Sequence, residues 1–298
     1  MSTKQHINDF ISRHRLPDKF HRLIDEHYNA LAAWLIQRHQ ANKPLFLGIN
    51  GAQGTGKSTL ADFLQLVLEE DEGWHIAVLS IDDFYLTRAE RRKLSETVHP
   101  LLITRGVPGT HDLQLLLTCI EQLRNLDAGS KLPLPRFDKA QDDRAAFEIW
   151  PVVTGPVDLI ILEGWCVGSA PQASNALSQP INQLERDRDP AGKWRQFVNK
   201  QLEKGYADLF EKLDLLLFLQ APNFEAVFRW RLEQEEKLAE KSPENSAGIM
   251  DRTQIADFMQ HYERLTRANL VSLPEIADVS LELDDNHDCV RSLYASPE

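Results

Sequence analysis

Gly51, Gly56, Lys57 and Ser58 stand at the spacing G-x-x-x-x-G-K-[ST] inside the segment GINGAQGTGKST, residues 48–59. Each of these residue types has its own use around phosphate. Glycines let the backbone turn through left-handed angles and bring its amides close to phosphate oxygens. A helix starting near Lys57 points its positive end at the same oxygens. Lys57 is placed to reach the β- and γ-phosphates, and the Ser58 hydroxyl to ligate Mg²⁺. The whole run, Gly51, Ala52, Gln53, Gly54, Thr55, Gly56, Lys57, Ser58 and Thr59, therefore reads as a P-loop gripping the triphosphate of ATP.

A P-loop binds a nucleotide without saying what is done with it. The guanine-reading pattern N-K-x-D is missing; the nearest segment, NKQL at Asn199, lacks the aspartate. A motor ATPase usually has a strand ending in two acids, whereas IILEGW ends in the single acid Glu163. A phosphotransferase needs a carboxylate near the γ-phosphate to accept a proton from an alcohol. LSIDDFYLT, residues 79–87, offers Asp82 and Asp83 just after an apolar run. Asp82 is the preferred base. The alternative use of such a pair is an Asx turn or helix cap. Glu163 closes another apolar run, the expected place for an acid near Mg²⁺.

Elements must bring these residues to one rim. Apolar residues from 18 to 40 fall at helical spacing, and so do those from 57 to 70. Short apolar runs at 44–50, 75–81, 157–165, 213–220 and 278–283 read as buried strands. Strands alternating with helices predict a mainly parallel sheet covered on both faces, an α/β architecture. Ligands of such sheets bind beyond the carboxyl ends of the strands, so the strand before Asp82, expected beside the P-loop strand, delivers its acid to the correct rim. The stretches 131–155 and 168–192 read as irregular. The run RAERRKL, 88–94, reads as a solvated helix face.

Composition bounds the partners. The chain has 298 residues, 42% hydrophobic and 26% charged, with a net charge of −12. That charge argues against a general nucleic-acid binder and leaves room for a small anionic acceptor held locally. Three cysteines, Cys119, Cys166 and Cys289, lack disulfide or zinc spacing and read as reduced thiols. No apolar leader and no apolar run long enough for a membrane span are visible, so a cytoplasmic location is expected.

The segments GAQGTGKST, LSIDDFY, RGVPGTHD, PRFDKAQDDR, GPVDLIILEGW and FRWRLEQE occur in the order used by the phosphoribulokinase/uridine kinase/pantothenate kinase group. Together with WRQFVNKQLEKGYADL they most resemble its D-glycerate 3-kinase subgroup. The resemblance implies a three-layer P-loop fold in one domain, with a helical extension over 1–40, an insertion over 165–212 and a lid over 222–265. It implies transfer of the ATP γ-phosphate to a hydroxyl of a small metabolite, D-glycerate, with Lys57, Asp82 and Glu163 catalytic and Mg²⁺ near Ser58 and Glu163. It places Arg105, His111 and Asp112 in a substrate-side loop, and Arg136, Asp138, Lys139 and Arg144 among the acceptor contacts. Arg229 and Arg231 would approach the phosphates from the lid. A small carboxylate beside ATP gathers negative charge, which such cations offset, arginine by its bidentate fork. The plainer reading pairs them locally: Lys139 with Asp138, Arg144 with Asp142 and Asp143, and His111 as a helix-start residue. A uridine- or pantothenate-kinase-like acceptor, or a regulatory P-loop ATPase, are the alternatives.

Overall fold

The P-loop motif demands strand, loop and helix in that order. The computed structural model, which describes residues 3–41, 43–239 and 250–295, has β1 (Leu45–Gly51), a loop over 52–56 and α4 (Lys57–Glu72). Ahead of them lie α1 (Thr3–His14), α2 (Phe20–Leu23) and α3 (Asn29–Ile36). A π-helical turn over Ile24–Tyr28 joins the last two into one helix, the one expected over 18–40. Its apolar stripe (Phe20, Ile24, Tyr28, Leu31, Leu35) and Phe10 of α1 are buried in the same cluster as Phe63 on α4. The N-terminal segment is thus built into the core beside the P-loop helix.

The central part contains β2 (Ile76–Ser80), α5 (Arg88–Thr97) and α6 (Leu113–Arg124). The stretch expected to be irregular forms two antiparallel ribbons. One pairs β3 (Lys131–Pro133) with β6 (Val152–Thr154), and the other pairs β4 (Phe137–Asp138) with β5 (Asp143–Arg144). β7 (Leu159–Gly164) follows. The expected insertion contains α7 (Gln183–Arg188), α8 (Lys193–Gln201) and α9 (Ala207–Phe210). It is pinned by buried ion pairs, Arg195 to Asp189 and Arg264 to Glu185. The chain then runs through β8 (Leu215–Gln220), α10 (Phe224–Ala239), α11 (Arg252–Ile276), β9 (Val279–Leu283) and β10 (Cys289–Tyr294). Residues 240–249 of the expected lid lie outside the described residues. Among the described residues, no helix is long and apolar enough to cross a membrane.

The main sheet has the order β10-β9-β8-β1-β7-β2, parallel except for β10. Alternate residues feed two cores. Leu45, Leu47, Ile49, Leu159 and Ile161 face one apolar cluster; Phe46, Ala77, Leu79, Ile160 and Leu162 face the other. Continuous burial on both faces explains why these strands lack alternating polarity. One expectation is corrected here. β2 is not beside β1; β7 stands between them, because the connection after β2 leaves the sheet and returns inside. The register levels the strand ends: Glu163 pairs with Ile49 on one side and Ser80 on the other.

Candidate active site

The P-loop closes over the carboxyl end of β1. A Cβ on Gly51 would stand 2.5 Å from Thr55 Oγ1, and one on Gly54, at φ +82°, would stand 2.8 Å from Trp230 Cβ. Both positions require glycine for packing, and Gly54 also for its backbone angle. Thr55 Oγ1 donates to Ala52 O at 2.9 Å and fixes the loop from inside. Lys57 Nζ reaches back to the same carbonyl at 3.2 Å. Burial pushes the Lys57 ammonium below its ordinary value, with Glu163 and Asp82 acting against that. The buried Gln53 Oε1 has no partner.

β7 brings Glu163 to the P-loop. Its Oε1 accepts from Ser58 Oγ at 3.0 Å. Burial raises the Glu163 carboxyl, with Lys57 opposing. Ser58 and Glu163 thus present oxygens side by side, one from α4 and one from β7, as a hard divalent cation requires. No group of three or more His, Cys, Asp or Glu arranged for metal binding occurs among the described residues. The donors present therefore suit Mg²⁺ completed by phosphate and water, and not an all-protein metal cage.

Asp82 and Asp83 lie in a 3₁₀ turn (Ile81–Phe84) directly after β2. They divide the work. Asp83 is structural: it accepts from the Phe137 amide at 3.1 Å and from Arg136 at 3.0 Å, which ties the β4–β5 ribbon to the rim. Asp82 faces the site. It accepts from Tyr85 Oη at 2.7 Å and Lys139 Nζ at 2.8 Å. Burial opposes its charge, but Lys139, Tyr85 and His111 outweigh burial and hold the carboxyl down to about 2. Lys139 is in turn held above its ordinary value, against burial, by Asp82.

The remaining expected contacts occupy the wall around Asp82. Arg105 pairs with Asp142, and Arg144 with Asp112 at 2.8 Å. The local pairings expected for Lys139 and Arg144 are not those observed. Asp138 instead accepts the Ala140 and Gln141 amides, and Asp143 accepts the amides of Arg88 and Arg144. Arg91, expected on a solvated face, is buried: it donates to Leu86 O, Ile103 O and Asp142. Asp142, at φ 55°, therefore receives two arginines and anchors the turn that carries Lys139.

His111 is not the helix start; Asp112 caps α6 by accepting from Leu115 N. The His111 ring is buried, stacked on Tyr85 at 4.7 Å, with Nδ1 2.5 Å from Tyr206 Oη. Burial lowers its pKa to about 4, so it is neutral near pH 7. Tyr206 Oη also accepts from the Gly109 amide at 3.0 Å. In the tautomer where Tyr206 donates to His111 Nδ1, the ring proton is on Nε2. That Nε2 is buried and has no partner.

The two arginines of α10 diverge. Arg231 is partly buried, paired with the buried Glu235, and lies close enough to Tyr262 for its charge to be felt there, together with that of Arg105. Arg229 turns outward to Asp285 in the β9–β10 turn. Tyr85, Tyr206, Trp165, Tyr262 and Trp230 escaped the sequence reading. Trp165 Nε1 and Tyr262 Oη donate to Gly106 O and Arg105 O, holding the 105–112 loop. Their signal was weak because aromatics at helical or strand spacing are usually core.

No family model matches the chain. Relatives do. A chloroplastic D-glycerate 3-kinase of Arabidopsis thaliana is 34% identical over 77% of this chain, which spans about half (48%) of that longer protein. A probable ATP-dependent kinase of Saccharomyces cerevisiae is 32% identical over 85% of this chain and 88% of its own length. The solved D-glycerate 3-kinase of Cryptococcus neoformans superposes with a TM-score of 0.75 at 27% identity, covering 90% of this chain and 99% of that one. With the P-loop, the rim acids and the matched fold in place, the chain belongs to the D-glycerate 3-kinase family of P-loop kinases.

Proposed function

We propose that the protein transfers the γ-phosphate of ATP directly to a hydroxyl of D-glycerate, giving 3-phosphoglycerate. The observation that carries this reading is the Asp82 cluster. A carboxylate ionised at neutral pH faces the rim beside Lys57 and Glu163, with Lys139, Arg105, Arg136 and Arg144 on the surrounding turns. Four cations in an acidic chain suit a small acceptor bearing its own carboxylate. Similarity to named glycerate kinases favours that acceptor over other small alcohols.

The proposed roles draw on this geometry. The loop amides and Lys57 hold the donor phosphates. Ser58 and Glu163 would hold Mg²⁺, which offsets phosphate charge when bound. Asp82 accepts a hydrogen bond from the acceptor hydroxyl in place of Tyr85 or Lys139. A carboxyl near 2 is a weak base, so Asp82 orients the hydroxyl first and takes its proton late, when bonding to phosphorus has acidified it. Neutral His111 offers its Nε2 hydrogen to an acceptor oxygen, and Arg231 supplies charge from α10 as the phosphoryl group moves. No covalent enzyme intermediate is needed, and Cys166, whose thiol burial pushes up, has no part.

The test is ADP release with a panel of small alcohols, followed by identification of the product. D-glycerate-dependent release with phosphate on the 3-hydroxyl is expected. Release that follows uridine or pantothenate instead moves the acceptor assignment. Release that needs no alcohol and is stimulated by a protein partner overturns the metabolite-kinase reading.

A further inference from the structure

Two consecutive residues of α10 face different parts of the rim. Trp230 packs on Gly54 of the P-loop. Arg231, the next residue, acts by its charge on Tyr262, whose Oη donates to Arg105 O and so holds the 105–112 loop. One step along a helix turns the side chain by about 100°, so this single helix spans the donor loop and the acceptor wall.

A guanidinium in that position has to be kept there. A long, strongly hydrated side chain on a helix face swings into water unless a counter-charge retains it. Arg231 is 14% exposed, and its ion-pair partner Glu235, one turn further along α10, is 5% exposed, with Nη1 2.5 Å from Oε2. Glu235 is itself fixed. Its Oε1 accepts from the Met250 amide at 2.9 Å, directly before Asp251 caps α11. One carboxylate oxygen is thus committed to the backbone that starts α11, and the other is left for Arg231. Their contact is one of charge: neither Arg231 Nη1 nor Glu235 Oε2 has a hydrogen-bond partner. Nη1 therefore keeps its hydrogens for an anionic oxygen that enters beside it.

We infer that Glu235 is a positioning residue for phosphoryl transfer: clipped to the start of α11, it keeps the Arg231 guanidinium beside Tyr262, where the moving phosphoryl group can use it. The inference rests on the proposed kinase function and goes beyond it, from the cation that meets the phosphate to the acid that aims that cation. Glu235 touches neither nucleotide nor acceptor; it acts only through Arg231.

The test is a double-mutant cycle on kcat with ATP and D-glycerate, using the full chain. Arg231→Ala is expected to lower kcat about a hundredfold. Glu235→Gln keeps the volume and the oxygen that accepts from Met250, but it turns an amide donor toward the guanidinium. It is expected to lower kcat about tenfold, with ADP affinity, read by calorimetry, within about twofold of the parent. In the Arg231→Ala background the same substitution is expected to cost less than about twofold more, because no guanidinium is left to aim. Losses that multiply to about a thousandfold overturn the inference, since an acid that serves only the fold would produce them. A Glu235→Gln chain with parental kcat overturns it as well, and so does one that turns over faster, which makes the pair a restraint instead. Chemical rescue gives a readout that does not depend on how Glu235→Gln alone folds. Free guanidinium ion at low millimolar concentration is expected to restore Arg231→Ala severalfold and to do nothing for the double variant, in which neither charge remains. Equal rescue of both overturns the inference. A parent chain whose ADP release depends on no small alcohol overturns the kinase reading, and the inference falls with it.

Discussion

Asp82 and Lys139 form an exposed-edge pair whose members perturb each other, and their coupling makes specific demands on the chemistry. Asp82→Asn keeps the shape and the hydrogen-bonding reach but removes the proposed acceptor of the hydroxyl proton. If Asp82 is the base proposed above, kcat is expected to fall about a thousandfold while ADP binding, read by calorimetry, stays within about twofold. Unchanged turnover would overturn that role. Because the Asp82 carboxyl sits at about 2, it does not limit activity on the acid side above pH 4. Lys139→Ala removes the main charge that opposes burial. Asp82 then titrates higher, and the acid limb of the kcat/KM profile is expected to move up by roughly 1–2 pH units. A limb that stays in place would separate Lys139 from Asp82. Asp82 and Glu163 were legible in the sequence because each ends an apolar run. The partner of Lys139 was not, because it lies 57 residues away on another element.

The elements that carry these residues make their own predictions. Gly54 turns through φ +82° under Trp230, so Gly54→Ala combines backbone strain with a 2.8 Å contact. ATP KM is expected to rise at least about tenfold, with Tm nearly unchanged, since the loop can yield where the core cannot. A wild-type KM would show that Trp230 does not set the loop. α5 is held to the Lys139 turn by Arg91, which is 1% exposed and paired with Asp142 at 3.0 Å. Arg91→Ala leaves the Leu86 and Ile103 carbonyls without this donor, and a loss on the order of 3 kcal/mol is expected in urea unfolding. Strands and the P-loop helix were readable from the sequence because their signals are contiguous: a buried apolar run, a glycine loop, a 3.6 period. The ribbons at 131–154 were not, since β4 and β5 contribute two residues each and are held by Asp83 rather than by pattern. Arg91 misled for a related reason. A run of like charges predicts solvent, and only the turn at 139–142 supplies the counter-charge that lets one of them be buried.

At the scale of the whole molecule, burial of His111 links folding to pH. Its pKa is lowered from 6.5 to about 4 in the folded chain. Between those values the unfolded chain binds the extra proton, so stability is full above about pH 6.5 and falls as pH drops toward 4. The contribution is roughly 3 kcal/mol at most, and His111→Gln should flatten the dependence of the urea midpoint between pH 7 and 4.5. An equally steep dependence in the variant would assign it to other groups. The order of the strands was beyond reach of the sequence, because crossovers are long-range choices that local patterns do not encode. That order has a further consequence. Two ladder spacings, roughly 10 Å, separate the strand bearing the cradle from the strand bearing Asp82. Backbone hydrogen bonds set this span, so the sheet acts as a fixed calliper that no rotamer can adjust. On the proposed function, donor and alcohol would meet above β7, the strand midway, near Glu163.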